Sequence, residues 1–383
     1  MTFLFWSSLA LIAFVYAGYP AIMRFLAACR RPRPTVDGGE SYLPPATLVI
    51  AAFNEERAIH GKLINSLSLD YPRDLLEIVV VSDGSTDRTD AIVASFQSRG
   101  VRLIRLEGRQ GKTAAQNAAA AAAGGEILVF SDANAFYNPD AIRRLVRPFA
   151  NPDVGCVEGR RADAAEADSA TARHELRFRD WESRLKEWES RVLSCTGATG
   201  PIYAVRRSLY VPLNPDLISD FMQPLLVMAR HRKRQVYEPR ALSRELVFSD
   251  MRDEFRRKVR IMTRCLNSLK KTPEVLAPRR VGVAFAAQVI SHRLLRWLTP
   301  VFALTAFTAN LFLLDGPFYR ITLLMQAAFL LAAGIGWWLD RRNTGPACLR
   351  LPYTFSAANA AALVAIGNCL MGRHIVSWST RRP

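Results

Sequence analysis

Five short stretches carry side chains able to do chemistry: Asn54-Glu55, Asp83-Gly84-Ser85, Lys112, Asp132-Ala133-Asn134 and Asp220. Asp132 and Asn134 flank a single alanine where the apolar run 127–130 ends. Two readings are open: a turn, which short Asp and Asn side chains favour, or a cation site, since Mg²⁺ takes oxygen ligands beside bound phosphates. Lys112 ends the loop Gly-Arg-Gln-Gly-Lys at 108–112, where it is either a solvated surface group or a point charge for a diphosphate. A phosphate-wrapping P-loop needs four residues between its glycines. Arg109 and Gln110 alone fill that gap here, which excludes an ATPase or GTPase of that class. Asp83 either shapes the Asp-Gly-Ser turn or accepts from a nucleobase N–H such as that of uracil. Asp220 either caps a helix beginning near Phe221 or takes a proton from a hydroxyl.

Elements that hold these groups follow from the pattern around them. Over 44–277 short apolar runs (TLVIAAF, LEIVVV, VRLIRL, EILVF) alternate with helical stretches. Such alternation implies an α/β fold with a parallel-rich, doubly wound sheet. Ligands gather at the carboxyl ends of the strands in such sheets. Four of the polar clusters follow directly on strands, so together they make one rim suited to a nucleotide and its phosphates.

At these residues the chain resembles the family-2 inverting glycosyltransferases, the nucleotide-sugar-dependent enzymes that include cellulose, chitin and hyaluronan synthases. The resemblance runs from Val49 to about Leu269. VIAAFNEE resembles the opening strand, which implies nucleotide contacts at Ala51, Asn54 and Glu55. VVSDGSTDRT resembles the second nucleotide element, implying roles for Asp83, Gly84 and Ser85, and RQGK resembles the diphosphate loop with Lys112. SDAN resembles the element that holds Mg²⁺ or Mn²⁺, which implies Asp132 and Asn134 as metal residues. TGATG resembles the acceptor side at Thr196 and Gly197, Asp220 stands at the general-base position, and Arg257 and Arg260 stand in the final basic element. The implied fold is a GT-A-type nucleotide-sugar-binding domain. Three departures are visible: Asn134 where an Asp is common, Ser219 before Asp220 instead of Glu, and no Gln or Trp in the last element. The last of these bears on polymer extension.

Uncharged runs at 1–23, 297–314, 321–339 and 351–372 have the length of membrane spans. Arg24, Arg30, Arg31 and Arg33 follow the first run rather than precede it, which suits a retained anchor whose following segment is cytosolic. The expected organisation is a transmembrane helix over 1–28, a cytosolic transferase domain over 44–277, an interfacial amphipathic helix over 281–296 carrying His292, Arg293 and Arg296, and a membrane region with about three helices over 297–383. Four crossings put both termini on one side, at odds with the positive tail Arg373, Arg381 and Arg382. The expected place is a multi-pass membrane protein, in the inner membrane if bacterial. A net charge of +17 clustered beside the spans points to anionic lipid, and no nucleic-acid-binding pattern is present. Six scattered cysteines without a C-x-x-C spacing give no zinc or disulfide framework. Phe178, Trp181, Leu185, Trp188 and Val192 form one helical stripe, either packing or an acceptor wall.

The expected partners are a nucleotide-sugar donor, with UDP favoured, a glycan or lipid-linked acceptor, and membrane lipids. Three C-terminal spans are few for a polymer channel unless other polysaccharide-synthesis subunits contribute. Transfer of one sugar to a membrane lipid, and a non-catalytic scaffold that keeps the nucleotide fold, are the alternatives.

Overall fold

A computed structural model of the chain describes residues 1–30, 41–163, 170–245, 251–342 and 347–373. Arg31, Arg33, Arg381, Arg382 and the side chain of Phe178 lie outside what is described. One eight-stranded sheet organises the middle: β1 (Ala46–Ala52), β2 (Leu76–Ser82), β3 (Val101–Arg105), β4 (Ile127–Asp132), β5 (Ala135–Tyr137), β6 (Val154–Asp163), β7 (Tyr203–Arg206) and β8 (Arg234–Glu245). Their order is β3-β2-β1-β4-β7-β6-β8-β5.

β3, β2, β1 and β4 run parallel, whereas β7 is antiparallel to β4 and β6. Every residue of β1 is buried, because both faces of the sheet are covered. Leu48, Ile50, Val80 and Val129 enter one core, and the alternate residues Val49, Val79, Val81 and Phe130 enter another, as the two-residue strand period requires. The register sets Ala51 beside Val81 on one side and Asp132 on the other. The carboxyl ends of β1, β2 and β4 are therefore level, and the loops at 53–56, 83–89 and 132–134 leave one rim.

Helices α1 (Thr2–Cys29), α9 (Val283–Leu311), α10 (Pro317–Asp340) and α11 (Cys348–Leu370) are each long and apolar enough to cross a membrane. Among the strands and these long apolar helices lie α2 (Ile59–Leu67), α3 (Thr89–Ala94), α4 (Lys112–Ala122), α5 (Ala141–Val146), α6 (Ala170–Val192), α7 (Ser219–His231) and α8 (Met251–Lys271). Phe5 of α1 is fully buried against Ala306 and Ala309 of α9. Trp181, Leu185, Trp188 and Val192 of α6 pack with Tyr19, Met23 and Ala27 of α1, so the stripe is a packing surface.

The segment 281–296, expected as an interfacial helix, is not separate from the apolar helix that follows it. The chain is helical without a break from Val283 to Leu311, through a π-helical segment at Ile290–Leu294. His292, Arg293 and Arg296 turn toward acidic side chains of α6. His292 is buried against Glu189, and both arginines approach Glu182. Their charges looked interfacial in sequence because the acids that receive them lie about a hundred residues away.

Candidate active site

The rim is knitted before any ligand is considered. Asn54 takes a left-handed conformation (φ 53°), which Asn tolerates better than most side chains. Its side-chain oxygen accepts from Thr86 N at 2.8 Å, its own N–H donates to Ser85 Oγ at 3.2 Å, and Glu55 N–H donates to Thr89 Oγ1 at 2.8 Å. Gly84 (φ +70°) lies so close to the 108–111 loop that a Cβ there would fall 2.6 Å from the Gly108 carbonyl oxygen.

Asp83 is fully buried and accepts from Gln110 N at 2.7 Å and Gly111 N at 2.9 Å. Burial raises its pKa, against the pull of those N–H groups and of Arg109. Asp83 thus latches the loop from which Lys112 departs. Arg109 in that loop lies 4.0 Å over the Phe53 ring.

Lys112 opens α4 and forms an ion pair with Asp132 at the end of β4. Burial alone would lower the lysine pKa, but Asp132 and Asp220 outweigh it and hold it above the ordinary value. The rest of the polar face of α4 builds the approach to Asp220. Thr113 Oγ1 donates to the Leu217 carbonyl at 2.7 Å, Asn117 Nδ2 donates to the Leu213 carbonyl at 2.7 Å, and Gln116 Oε1 accepts from Ser219 Oγ. Arg264 of α8 clamps the same segment through the carbonyls of Leu217 (2.7 Å) and Pro215 (3.2 Å).

Asp220 divides its carboxylate. Oδ1 accepts from Phe221 N at 2.9 Å in the first turn of α7, whose N-cap is Ile218, so Asp220 stands inside the helix and is not its cap. Oδ2 points the other way, across Gly200. A Cβ placed on Gly200 would lie 2.7 Å from Asp220 Oδ2 and 2.7 Å from Lys112 Nζ. Only a residue without a side chain leaves that gap between a carboxylate and an ammonium. Burial raises the Asp220 pKa, opposed by Lys112, and a raised pKa makes the ionised carboxylate a stronger base.

Thr196 and Gly197 sit behind this gap. Thr196 is fully buried, and Ala198 N donates to the Asp220 carbonyl at 3.1 Å, which stitches the 196–200 loop to the first turn of α7. Gly197 (φ +131°) lies against the Phe221 ring, 2.8 Å from where a Cβ would sit. Arg260 is close enough to Asp132 for the two charges to interact, and burial with Arg264 and Arg257 beside it lowers its pKa. Arg257 is drawn to Glu254, one turn back on α8, at 2.8 and 3.0 Å.

Asp132 and Asn134 offer a carboxylate and an amide oxygen two residues apart, a donor set that suits a hard divalent cation completed by diphosphate and water. Among the described residues no cluster of three His, Cys, Asp or Glu could hold an ion by itself. The fit is therefore to a metal shared with a substrate, as small divalent ions beside phosphates usually are. Sequence reasoning overlooked Gly200, Thr113, Gln116 and Arg264. One signal was available: the only polar side chains of the alanine-rich α4 are Lys112, Thr113, Gln116 and Asn117, all within one helical face.

Residues 47–210 match the family model described as Glycosyl transferase family 2. The chain is 38% identical over 141 residues to a beta-monoglucosyldiacylglycerol synthase of Synechocystis sp., covering 36% of this chain and 29% of that protein. It is 31% identical over 115 residues to a poly-beta-1,6-N-acetyl-D-glucosamine synthase of Staphylococcus epidermidis, covering 30% of this chain and 27% of that protein. The chain thus spans less than a third of the length of these two curated relatives. The mannosyltransferase PcManGT of Pyrobaculum calidifontis, solved with GDP-Man and Mn²⁺, superposes with a TM-score of 0.72 at 24% identity over 96% of this chain and 99% of that one. The GT-A-type fold with N-terminal and C-terminal apolar helices is therefore the fold of this chain.

Proposed function

We propose that this chain, which carries a family 2 glycosyltransferase domain over residues 47–210, is a multi-pass membrane enzyme that moves a sugar, with inversion, from a uridine diphosphate donor to a lipid-linked or glycan acceptor on the cytosolic face. The observation that carries the reading is the gap at Gly200, with Lys112 on one side and Asp220 on the other. Asp220 Oδ2 takes the proton of the acceptor hydroxyl, while Lys112 and Arg260 hold the departing diphosphate from the opposite side. Asp132 and Asn134 would hold Mg²⁺ or Mn²⁺, which when bound polarises the diphosphate and offsets its charge. Asp83 keeps the 108–111 loop folded over the nucleotide side of the rim.

Names of the relatives support both a glycolipid and a polysaccharide product. Contact between the acceptor-side Thr196 and Arg293 of α9 favours an acceptor that arrives from the bilayer. Nucleotide release by the purified protein is the test, with UDP-glucose, UDP-N-acetylglucosamine and GDP-mannose as donors and diacylglycerol in phosphatidylethanolamine–phosphatidylglycerol nanodiscs as one acceptor. We expect release that needs Mg²⁺ or Mn²⁺ and is lost in Asp132→Ala and Asp220→Asn. Donor binding without release in any lipid would support the scaffold reading instead. A product ladder would indicate polymer extension, and a single added sugar would indicate the lipid route.

A further inference from the structure

Behind the acceptor-side loop lies a buried polar cluster that the transfer chemistry does not use. At its centre is Glu189 of α6, fully buried. Its carboxylate meets Tyr19 Oη from α1, His292 Nδ1 from α9 at 2.8 Å, and Thr196 Oγ1 at 3.4 Å. Arg293 Nε donates to the Thr196 carbonyl at 3.1 Å and to Thr196 Oγ1 at 3.2 Å, and the same hydroxyl lies 3.0 Å from His292 Nδ1. A carboxylate only accepts, so the 2.8 Å contact assigns a hydrogen to His292 Nδ1. A second buried acid holds the far end of the loop: Glu158 Oε1 accepts from Thr199 N at 2.9 Å and pairs with Lys186 at 2.8 Å. The next residue is Gly200, at the gap between Lys112 and Asp220.

Both membrane helices are locally irregular where they reach this cluster. In α1 the π-helical segment Phe14–Gly18 immediately precedes Tyr19, and in α9 the π-helical segment Ile290–Leu294 contains His292 and Arg293. A π turn shifts the side chains beyond it around the helix axis, and such segments recur at functional sites. Two apolar helices thus each break their regular winding where a polar side chain must reach one carboxylate.

We propose that Glu189 is a positioning residue that sets the Thr196–Gly200 loop against Asp220, and that Tyr19 and His292 tie that setting to the seating of α1 and α9. The inference deepens the transferase reading above and rests on it for its kinetic arm. The experiment uses the full chain in phosphatidylethanolamine–phosphatidylglycerol nanodiscs, with UDP-glucose and diacylglycerol as probes. Tyr19→Phe, His292→Leu, His292→Asn and Glu189→Gln are compared with wild type for donor KM, acceptor KM, melting temperature and deuterium uptake over 196–200.

Losing one buried hydrogen bond is expected to raise the acceptor KM about tenfold in Tyr19→Phe and His292→Leu, with donor KM within about twofold of wild type. Uptake over 196–200 rises in both, while His292→Asn, whose amide replaces the Nδ1 donor, stays close to wild type in acceptor KM and uptake where His292→Leu does not. Glu189→Gln, which keeps the shape and one acceptor oxygen, falls between wild type and Tyr19→Phe. Wild-type acceptor KM and uptake in Tyr19→Phe and His292→Leu would overturn the proposal. So would a parallel loss of donor KM, acceptor KM and melting temperature, which is what a purely structural cluster gives. If wild type transfers nothing, the transferase reading with these probes fails, and unchanged uptake in the variants would still sink the positioning role.

Discussion

Substituting Gly200→Ala tests the gap between Lys112 and Asp220 with a single methyl group. Gly200 does not take a positive φ, so its backbone does not by itself exclude alanine. Removing chain entropy at such a site stabilises a protein by about 0.4–1 kcal/mol. The new Cβ would lie 2.7 Å from both Asp220 Oδ2 and Lys112 Nζ, where ordinary contact begins at 3.4 Å. Both are side-chain ends, so the backbone can stay while the carboxylate and the ammonium each retreat by roughly 0.7 Å. Displacing reacting groups by about 1 Å costs on the order of 10²-fold in rate. That is about 2.7 kcal/mol of transition-state stabilisation. Gly200→Ala is therefore expected to melt no lower than wild type and to bind donor normally, yet to transfer roughly a hundredfold more slowly. Steady-state transfer, donor binding by calorimetry and a thermal melt decide it. Wild-type kcat in a correctly folded Gly200→Ala protein would show that the reaction does not occur in this gap.

Other outcomes follow from neighbouring groups. Burial raises the Asp220 pKa, so transfer should fall as pH drops through a value above that of a free aspartate, and Asp220→Asn should abolish that acidic limb together with the activity. Asn134→Asp adds a charge to the proposed cation site, and the Mn²⁺ concentration for half-maximal rate should fall roughly tenfold in a metal titration. Lys62 is fully buried, donates to the Ala135 carbonyl, and has its pKa pushed down to about 7 from 10.5 by burial. Because the folded value lies below the unfolded one, the unfolded chain binds more protons between about pH 7 and pH 10.5, and stability rises with pH across that window. Lys62→Met should flatten the rise, and thermal melts at pH 7 and pH 9 would show its advantage shrinking at the higher pH.

Local signals made the rim legible in sequence. Apolar runs ended abruptly at Asn54, Asp83 and Asp132, and a strand period of two leaves little freedom about where such a run surfaces. The parallel register then brings those ends level, as the Ala51–Val81 and Ala51–Asp132 pairs show. Contacts between distant segments were hidden. Nothing near Glu189 announces Tyr19 or His292, and the charges of Arg293 and Arg296 read as interfacial until Glu182 is placed beside them. Arg257 and Arg260, alike in sequence, divide because Glu254 lies one helical turn from Arg257. Gly200 escaped notice because its role is the absence of a side chain, which only the facing groups reveal.

Phe5 has a consequence for how the chain is made. Its ring is closed in by Ala306 and Ala309, some three hundred residues downstream. Synthesis proceeds from the N-terminus at about 5–20 residues per second, and domains fold as units while it does. The sheet can therefore close while α1 still waits, for about 15–60 s, for the helix that covers it. During that interval the Phe5 face is a vacancy that lipid or a chaperone must shield, and a chain interrupted before α9 would keep it open. Mutations that loosen the Phe5–Ala306–Ala309 contact should thus lower the yield of assembled protein more than the activity of the molecules that assemble.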